Sequence, residues 1–324
     1  MKKINKKFNF INNHRRSINV LYVFIAIFAI FILANPRVFL NFDIYNSVFT
    51  AIPIIVVLTL PMVFVITSSE IDLSFGSILG MAGFAFSIIT VKTQNPYIGF
   101  IACILVGVIC GLINGILVTK LKLSSLVSTL GMSFFLRGLV MIITQGNAIT
   151  MVELKSSIFS KLLTGRIIKF PVQMIWAIII TLLLWFLYNH FRFGAYIHFV
   201  GDNRNSAREM GINIDKTIIG AFCLVGVCAA IGSIFSVLIN LNYWPTSGDG
   251  YLLVVLAAVF LGGTPTWGGV GTITGAFLGA IIIGFLDTGI IAAGLTGFYT
   301  KLIYGLIIII AIISHRYGAE RKRA

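Results

Sequence analysis

Charge is what this sequence has least of. Asp, Glu, Lys and Arg make up 10% of its 324 residues, and only ten of them are acidic. A soluble domain carries about 25%, so a water-soluble globule is excluded. Cysteine is also sparse. Cys103, Cys110, Cys223 and Cys228 all fall inside apolar runs, without Cys-x-x-Cys spacing. They read as small buried hydrophobes rather than a disulfide frame or a thiolate metal site. His14, His190, His198 and His315 lie at the borders of apolar runs or in the tails, where they read as interfacial polar residues rather than a metal centre. No Gly-x-x-x-x-Gly-Lys-[Ser/Thr] stretch occurs, so the chain has no phosphate loop of its own. No serine has a His and an Asp arranged around it in sequence. No catalytic residue, no metal site and no cofactor bound by this chain are expected.

What the sequence has in excess is apolar surface: 58% of residues are hydrophobic and the mean hydropathy is +1.01. A hydrocarbon core about 30 Å thick needs about 20 apolar residues per helix, and many such runs are present. Uninterrupted runs such as Leu302 to Ile313 do not match the short alternating strands of a barrel. The expected fold is an all-α polytopic membrane protein with broken or re-entrant segments. The formal charge of +14 is concentrated at the ends, with Lys2, Lys3, Lys6, Lys7, Arg15 and Arg16 at one and Arg316, Arg321, Lys322 and Arg323 at the other. Basic residues retained beside a bilayer account for this and place both termini in the cytoplasm. A nucleic-acid partner is not expected.

Ten helices are predicted, near residues 18–34, 46–67, 75–90, 97–119, 124–143, 170–188, 217–239, 251–261, 270–286 and 300–313. Residues 1–17 form a basic cytoplasmic N-terminus, 18–313 a single transmembrane domain and 314–324 a basic tail. The first run lacks a small-residue cleavage site and is followed by Asn35-Pro36-Arg37, so it reads as a retained helix. Pro53 and Pro61 are expected to kink or break the second helix. Residues 240–250 read as an outer loop, with Gly248-Asp249-Gly250 as its turn. The helix at 251–261 is short for a crossing and suggests a broken or re-entrant segment.

Four polar or glycine-rich features stand out. Gly201 to Asn213 is a hydrophilic island between long apolar runs, predicted to be a short helix punctuated by Gly201 and Gly211, on which a soluble partner acts. The stretch Glu70-Ile71-Asp72-Leu73-Ser74-Phe75-Gly76-Ser77 puts two acids beside apolar helices. Asp72 or Ser74 can cap the helix that follows, and Glu70 and Asp72 are gate candidates. Gly107, Gly111 and Gly115, and again Gly275 and Gly279, form small-residue faces for packing within the subunit or at a dimer seam. Gly262, Gly263, Gly268 and Gly269 belong to a late glycine-rich turn and are candidate pathway or packing positions, as is Asp287. Asp287 follows at the end of a helix, facing a cavity or solvent. Trp244 and Trp267 read as interface anchors.

Taken in order, the Glu70–Ser77 stretch, Gly201-Asp202-Asn203 through Ala207 to Gly211-Ile212-Asn213, and Leu256 to Gly263 through Gly268-Gly269-Val270-Gly271 to Gly275 resemble the ribose-type permease family of ATP-binding-cassette importers. The resemblance spans about residues 20–313. It implies a plasma-membrane, multi-pass permease that imports a monosaccharide or similar small polar solute. Its implied partners are a separate ATP-binding cassette that uses ATP and Mg, an external solute-binding protein, a second permease copy or paralogue, and the lipid bilayer. By similarity, Gly201, Asp202, Asn203, Ala207, Arg208, Glu209, Gly211 and Ile212 form the coupling element that docks in the cassette. Family members commonly carry a small residue where Glu70 stands here. The alternative is an ion-coupled secondary transporter of a small polar solute with Glu70 and Asp72 as the ion site. It is disfavoured because these acids lie toward one end of the membrane rather than its centre.

Overall fold

The computed structural model describes residue 25 and residues 28–33, 35–292, 294 and 296–320. The basic N-terminal tail, most of the expected first helix over 18–34, and Arg321, Lys322 and Arg323 lie outside the described residues. Among the described residues, seven helices are long and apolar enough to cross a membrane: α1 (Phe42–Thr67), α2 (Phe75–Thr93), α3 (Pro96–Thr119), α4 (Ser125–Thr144), α6 (Val172–His190), α9 (Ile214–Asn240) and α11 (Ile273–Ala292). Between or after them come α5 (Ile158–Thr164), α7 (Arg192–Asp202), α8 (Arg204–Glu209), α10 (Tyr251–Leu261) and α12 (Phe298–Glu320). Strand is confined to two short ladders, Ile149–Thr150 with Asn242–Tyr243 and Arg166–Ile167 with Phe170–Pro171. The architecture is all-α and polytopic.

α1 is the axis of the bundle. Every residue from Ile52 to Thr67 is buried, so the helix is apolar all round, as a core helix must be. It runs unbroken through Pro53 and Pro61, against the expected break. Packing on every side holds a helix whose ladder lacks the two proline donors. It begins at Phe42 rather than 46 because the Asn41 side chain accepts a hydrogen bond from Asp43 N at 3.1 Å and caps it. α9 likewise starts early, at Ile214, with Asn213 Oδ1 accepting from Lys216 N at 3.0 Å. α6 starts at Val172 rather than 170 because Phe170 and Pro171 are used in a ladder.

The small-residue faces are consumed inside the subunit. A Cβ on Gly107 would collide with Gly226 O, and one on Gly111 with Phe222 O. α3 and α9 therefore meet backbone to backbone. Gly275 and Gly279 bring α11 in the same way against Gly262 O and Ala258 O at the end of α10. The dimer-seam alternative for these glycines is thus replaced by packing within the chain. α4 is the opposite case. Its buried residues Ser125, Thr129, Leu136 and Val140 lie on one stripe, and the rest of its surface faces outward.

Overpacking a close helix crossing costs about 1–3 kcal/mol. Gly226→Val is therefore expected to lower the melting temperature of the detergent-purified protein clearly. Gly131→Ala, placed where nothing lies within 4 Å, is expected to leave it unchanged. Equal melting of both variants would contradict the α3–α9 contact.

Candidate functional site

Three stretches far apart in sequence are tied together at one end of the bundle. α1 ends at Thr67, and the chain turns through Ser69, whose φ is 64°. Ser69 Oγ donates to Gly201 O at 2.9 Å and to Trp267 O at 3.0 Å. Gly269 N donates to Thr67 O at 2.8 Å, and His198 Nδ1 lies 2.9 Å from Gly269 O. Thr67 Oγ1 is 2.8 Å from the Tyr188 hydroxyl. No side chain fits at the crossing. A Cβ on Gly201 would overlap Thr67 O, and one on Gly268, whose φ is +82°, would overlap Ser69 Oγ. Gly268 of the late turn and Gly201 of the hydrophilic island are therefore needed by the same knot.

Beside the knot, the Arg204 guanidinium donates to the Glu70 carboxylate. The Glu70 side chain is 7% exposed and that of Arg204 47% exposed, so the pair joins a buried anchor to a helix at the surface. That helix, α8, is shorter than expected. Asn203 breaks the polar stretch: its Oδ1 accepts from Asn205 N at 2.9 Å and Ser206 N at 3.1 Å, ending α7 and capping α8. Gly201 lies inside the last turn of α7 and is not the punctuation expected of it. Gly211, with φ +78°, does end α8, and Ile212 N closes back on Ala207 O at 3.0 Å. Ala207 and Ile212 are buried in the main core. Asp202, Asn205, Ser206, Arg208, Glu209 and Met210 are exposed. The element is a small lever with two apolar anchors and a polar upper face.

From the knot, residues 70–74 climb along α4. Ile71 N donates to Ser125 Oγ at 3.1 Å and Leu73 N to Thr129 Oγ1 at 3.0 Å. Asp72 is fully buried, and its Oδ1 accepts from Ser74 N at 2.7 Å and Ser74 Oγ at 2.6 Å. Asn114 Nδ2 donates to Ser74 Oγ at 2.7 Å. Asp72 thus braces the turn into α2, while Ser74 occupies the cap position without a side-chain cap bond. Ser77 Oγ meets Ser133 Oγ at 2.9 Å, eight residues or about 12 Å along α4 from Ser125. α2 therefore begins well inside the bundle.

A second irregular segment descends to meet it. Residues 241–250 are not an outer loop. Tyr243 is fully buried against Gly83, Ser247 O approaches Gly80, and Gly248 packs backbone to backbone on Gly76. Arg137 fastens this segment to α4. Its guanidinium donates to Pro245 O, to Ser247 O at 3.0 Å and to Asp249 Oδ1 at 2.6 Å. α10 then starts at Tyr251 and is 11 residues long, about 16 Å, too short for a crossing. Two irregular segments thus enter from opposite ends and each turns into a helix where Gly76 touches Gly248. Arg137 was not singled out in the sequence reading, although a lone charge in an apolar run is the signal that marks it. Asp287 is not at a helix end, because α11 continues to Ala292. It is an exposed carboxylate within that helix, in electrostatic reach of Tyr251 and Tyr304.

Comparison with known proteins shows the family to which the chain belongs. A family model described as "Branched-chain amino acid transport system / permease component" matches residues 44–312. The chain is 32% identical over 301 residues to the ribose import permease protein RbsC of Escherichia coli K12, covering 92% of each chain. It is 30% identical over 296 residues to the D-allose transport system permease protein AlsC of the same strain, covering 91% of this chain and 90% of the relative. It is also 30% identical over 306 residues to the autoinducer 2 import system permease protein LsrC of Yersinia pseudotuberculosis serotype O:3, covering 93% of this chain and 84% of the relative. No solved structure matches.

The Glu70–Arg204 pair is open to a double-mutant cycle. With one partner half exposed, a coupling of about 1 kcal/mol is expected from melting curves of Glu70→Gln, Arg204→Gln and the double variant. Strict additivity of the two single changes would contradict the pairing.

Proposed function

This chain belongs to the ribose-type permease family of ATP-binding-cassette importers, and we propose that α8 is the element through which a separate ATPase moves it. The chain is a multi-pass cell-membrane transport subunit and not an enzyme. Its family works with an ATPase and a solute-binding partner. The observation that carries the reading is the knot around Thr67 and Ser69. It joins the exposed α7–α8 corner directly to 67–70, and through 267–269 to the end of α10, the helix that follows the second irregular segment. A push on α8 is therefore delivered to the bases of α2 and α10 together.

In this reading the cassette supplies the ATP and Mg chemistry, and its closure biases the helices between two packings. Arg208 and Glu209 on the polar face of α8, with Asp202 at the end of α7, meet the cassette, while buried Ala207 and Ile212 tie the lever to the core. The named relatives import ribose, allose or autoinducer 2. A small polyhydroxylated solute, with a monosaccharide first, is the cargo we assign. Ten crossings with both termini cytoplasmic, and a second permease copy or paralogue beside this one, complete the assignment. Both rest on the charge pattern and the family.

Proline at a helix interior costs about 3 kcal/mol. Ala207→Pro, or deletion of Gly201 to Asn213, is expected to abolish co-purification of the ATPase while leaving membrane insertion intact. Normal co-purification from either variant would contradict the coupling role of α8.

A further inference from the structure

The Arg137–Asp249 pair sits where a charge has to be explained. Arg137 is twelve residues along α4 from Ser125 and seven from Thr144, about 18 Å and about 10 Å from its two ends. A carboxylate facing hydrocarbon at such depth costs roughly 2.5–3.5 kcal/mol. Yet the Asp249 side chain is 61% exposed while that of Arg137 is only 17% exposed. The two ends of the pair have different surroundings. The guanidinium is held on three sides, by Pro245 O, Ser247 O and Asp249 Oδ1, and cannot swing away. Asp249 Oδ2 accepts no hydrogen bond among the described residues, and its side faces outward together with Gly250 and Leu253. The exposed carboxylate also stands at the junction of the two irregular segments, next to the Gly76–Gly248 contact and one residue before the cap of α10.

We propose that Asp249, held in place by Arg137, lines the aqueous route through the bundle and accepts hydrogen bonds from the hydroxyls of the passing solute. This rests on the reading of the chain as a permease for a polyhydroxylated solute, and names the side chain that reads that solute. A fixed carboxylate with one oxygen engaged by Arg137 keeps the other open to accept from one or two solute hydroxyls. That contact is strong enough to discriminate position and weak enough to release. Arg137 is a positioning residue: it sets the direction of the carboxylate and anchors the segment that bears it to α4. If the pair moved with the segment, the knot below and the carboxylate above would shift together, because Ser247 and Gly248 pack on the first turns of α2.

Two measurements on the transporter assembled with its ATPase and solute-binding subunits test this. In the first, Asp249→Cys in right-side-out vesicles is treated with a charged, membrane-impermeant maleimide and compared with the wild-type background of Cys103, Cys110, Cys223 and Cys228. Labelling is expected, and ATP with vanadate is expected to change its rate several-fold as the route opens or closes. Leu253→Cys, one helical turn below, serves if Asp249→Cys does not assemble. Modification only by a lipid-soluble maleimide would place the carboxylate against lipid or a partner subunit and overturn the proposal. In the second, uptake of ribose per ATP hydrolysed is measured at saturating loaded binding protein, with allose as the alternative solute. Asp249→Asn is expected to lower this ratio about tenfold and to alter the preference between the two sugars, with partial rescue by Asp249→Glu. An unchanged ratio and unchanged preference would overturn the proposal. Failure of the wild type to move either sugar would instead count against the cargo assigned above, while the labelling still decides whether Asp249 faces water.

Discussion

The constraint on which the rest of this structure depends is that backbone groups at membrane depth must find partners inside the protein. Two irregular segments, 68–74 and 241–250, run through the bundle without helical hydrogen bonds of their own. Each is fed by side chains from neighbouring helices. Ser125 and Thr129 take the amides of Ile71 and Leu73, Asp72 takes Ser74 N, and Arg137 takes the carbonyls of Pro245 and Ser247. α4 supplies most of these groups, which explains polar residues on the buried stripe of a helix that is otherwise turned outward. The glycines of α2 do the remaining work by letting the second segment lie against bare backbone at Gly76, Gly80 and Gly83.

This support gives the molecule its mechanical logic. Long helices that touch through glycine, as α3 and α9 do, resist sliding. The irregular segments are held by side-chain hydrogen bonds and two ion pairs, Glu70–Arg204 and Asp249–Arg137, which rearrange at lower cost. The first joins the knot directly and the second reaches it only through the length of α10, because Ser69 joins α7 to the turn after α10. In the coupling role we propose for α8, a soluble ATPase needs to act on only one small surface, because this element is tied to the core by Ala207 and Ile212 and to the α1–α2 turn by Arg204 and Glu70. Long-range coupling then needs no long-range force; it follows from where the hydrogen bonds are.

Much of this was legible in the residues. The starts of α2 at Phe75 and α10 at Tyr251 are marked by polar motifs that end abruptly in apolar runs. Two of the three motifs that carry the family resemblance meet at the knot, through Gly201 and Gly269, and the first stands beside it through the Glu70–Arg204 pair. What was not legible is depth. Residues 241–250 are polar and turn-rich, and such a segment reads as an outer loop. Only the Arg137 clamp and the glycine groove of α2 show that it goes inward, and both are tertiary facts. The break at Asn203 was missed because an asparagine inside a hydrophilic stretch gives little contrast, although its side chain caps α8. The end of α11 was drawn at Asp287 because a carboxylate looks like a terminus. The helix nevertheless continues through it to Ala292.

We propose that the knot transmits the ATPase cycle to the solute route, and Ser69 is its smallest part. One hydroxyl there bonds Gly201 O and Trp267 O. The most direct test measures ATP hydrolysis and solute uptake together in the assembled transporter carrying Ser69→Ala. The account predicts that hydrolysis continues while uptake falls severalfold, so that ATP is spent without transport. Uptake and hydrolysis that stay in the wild-type ratio would contradict it.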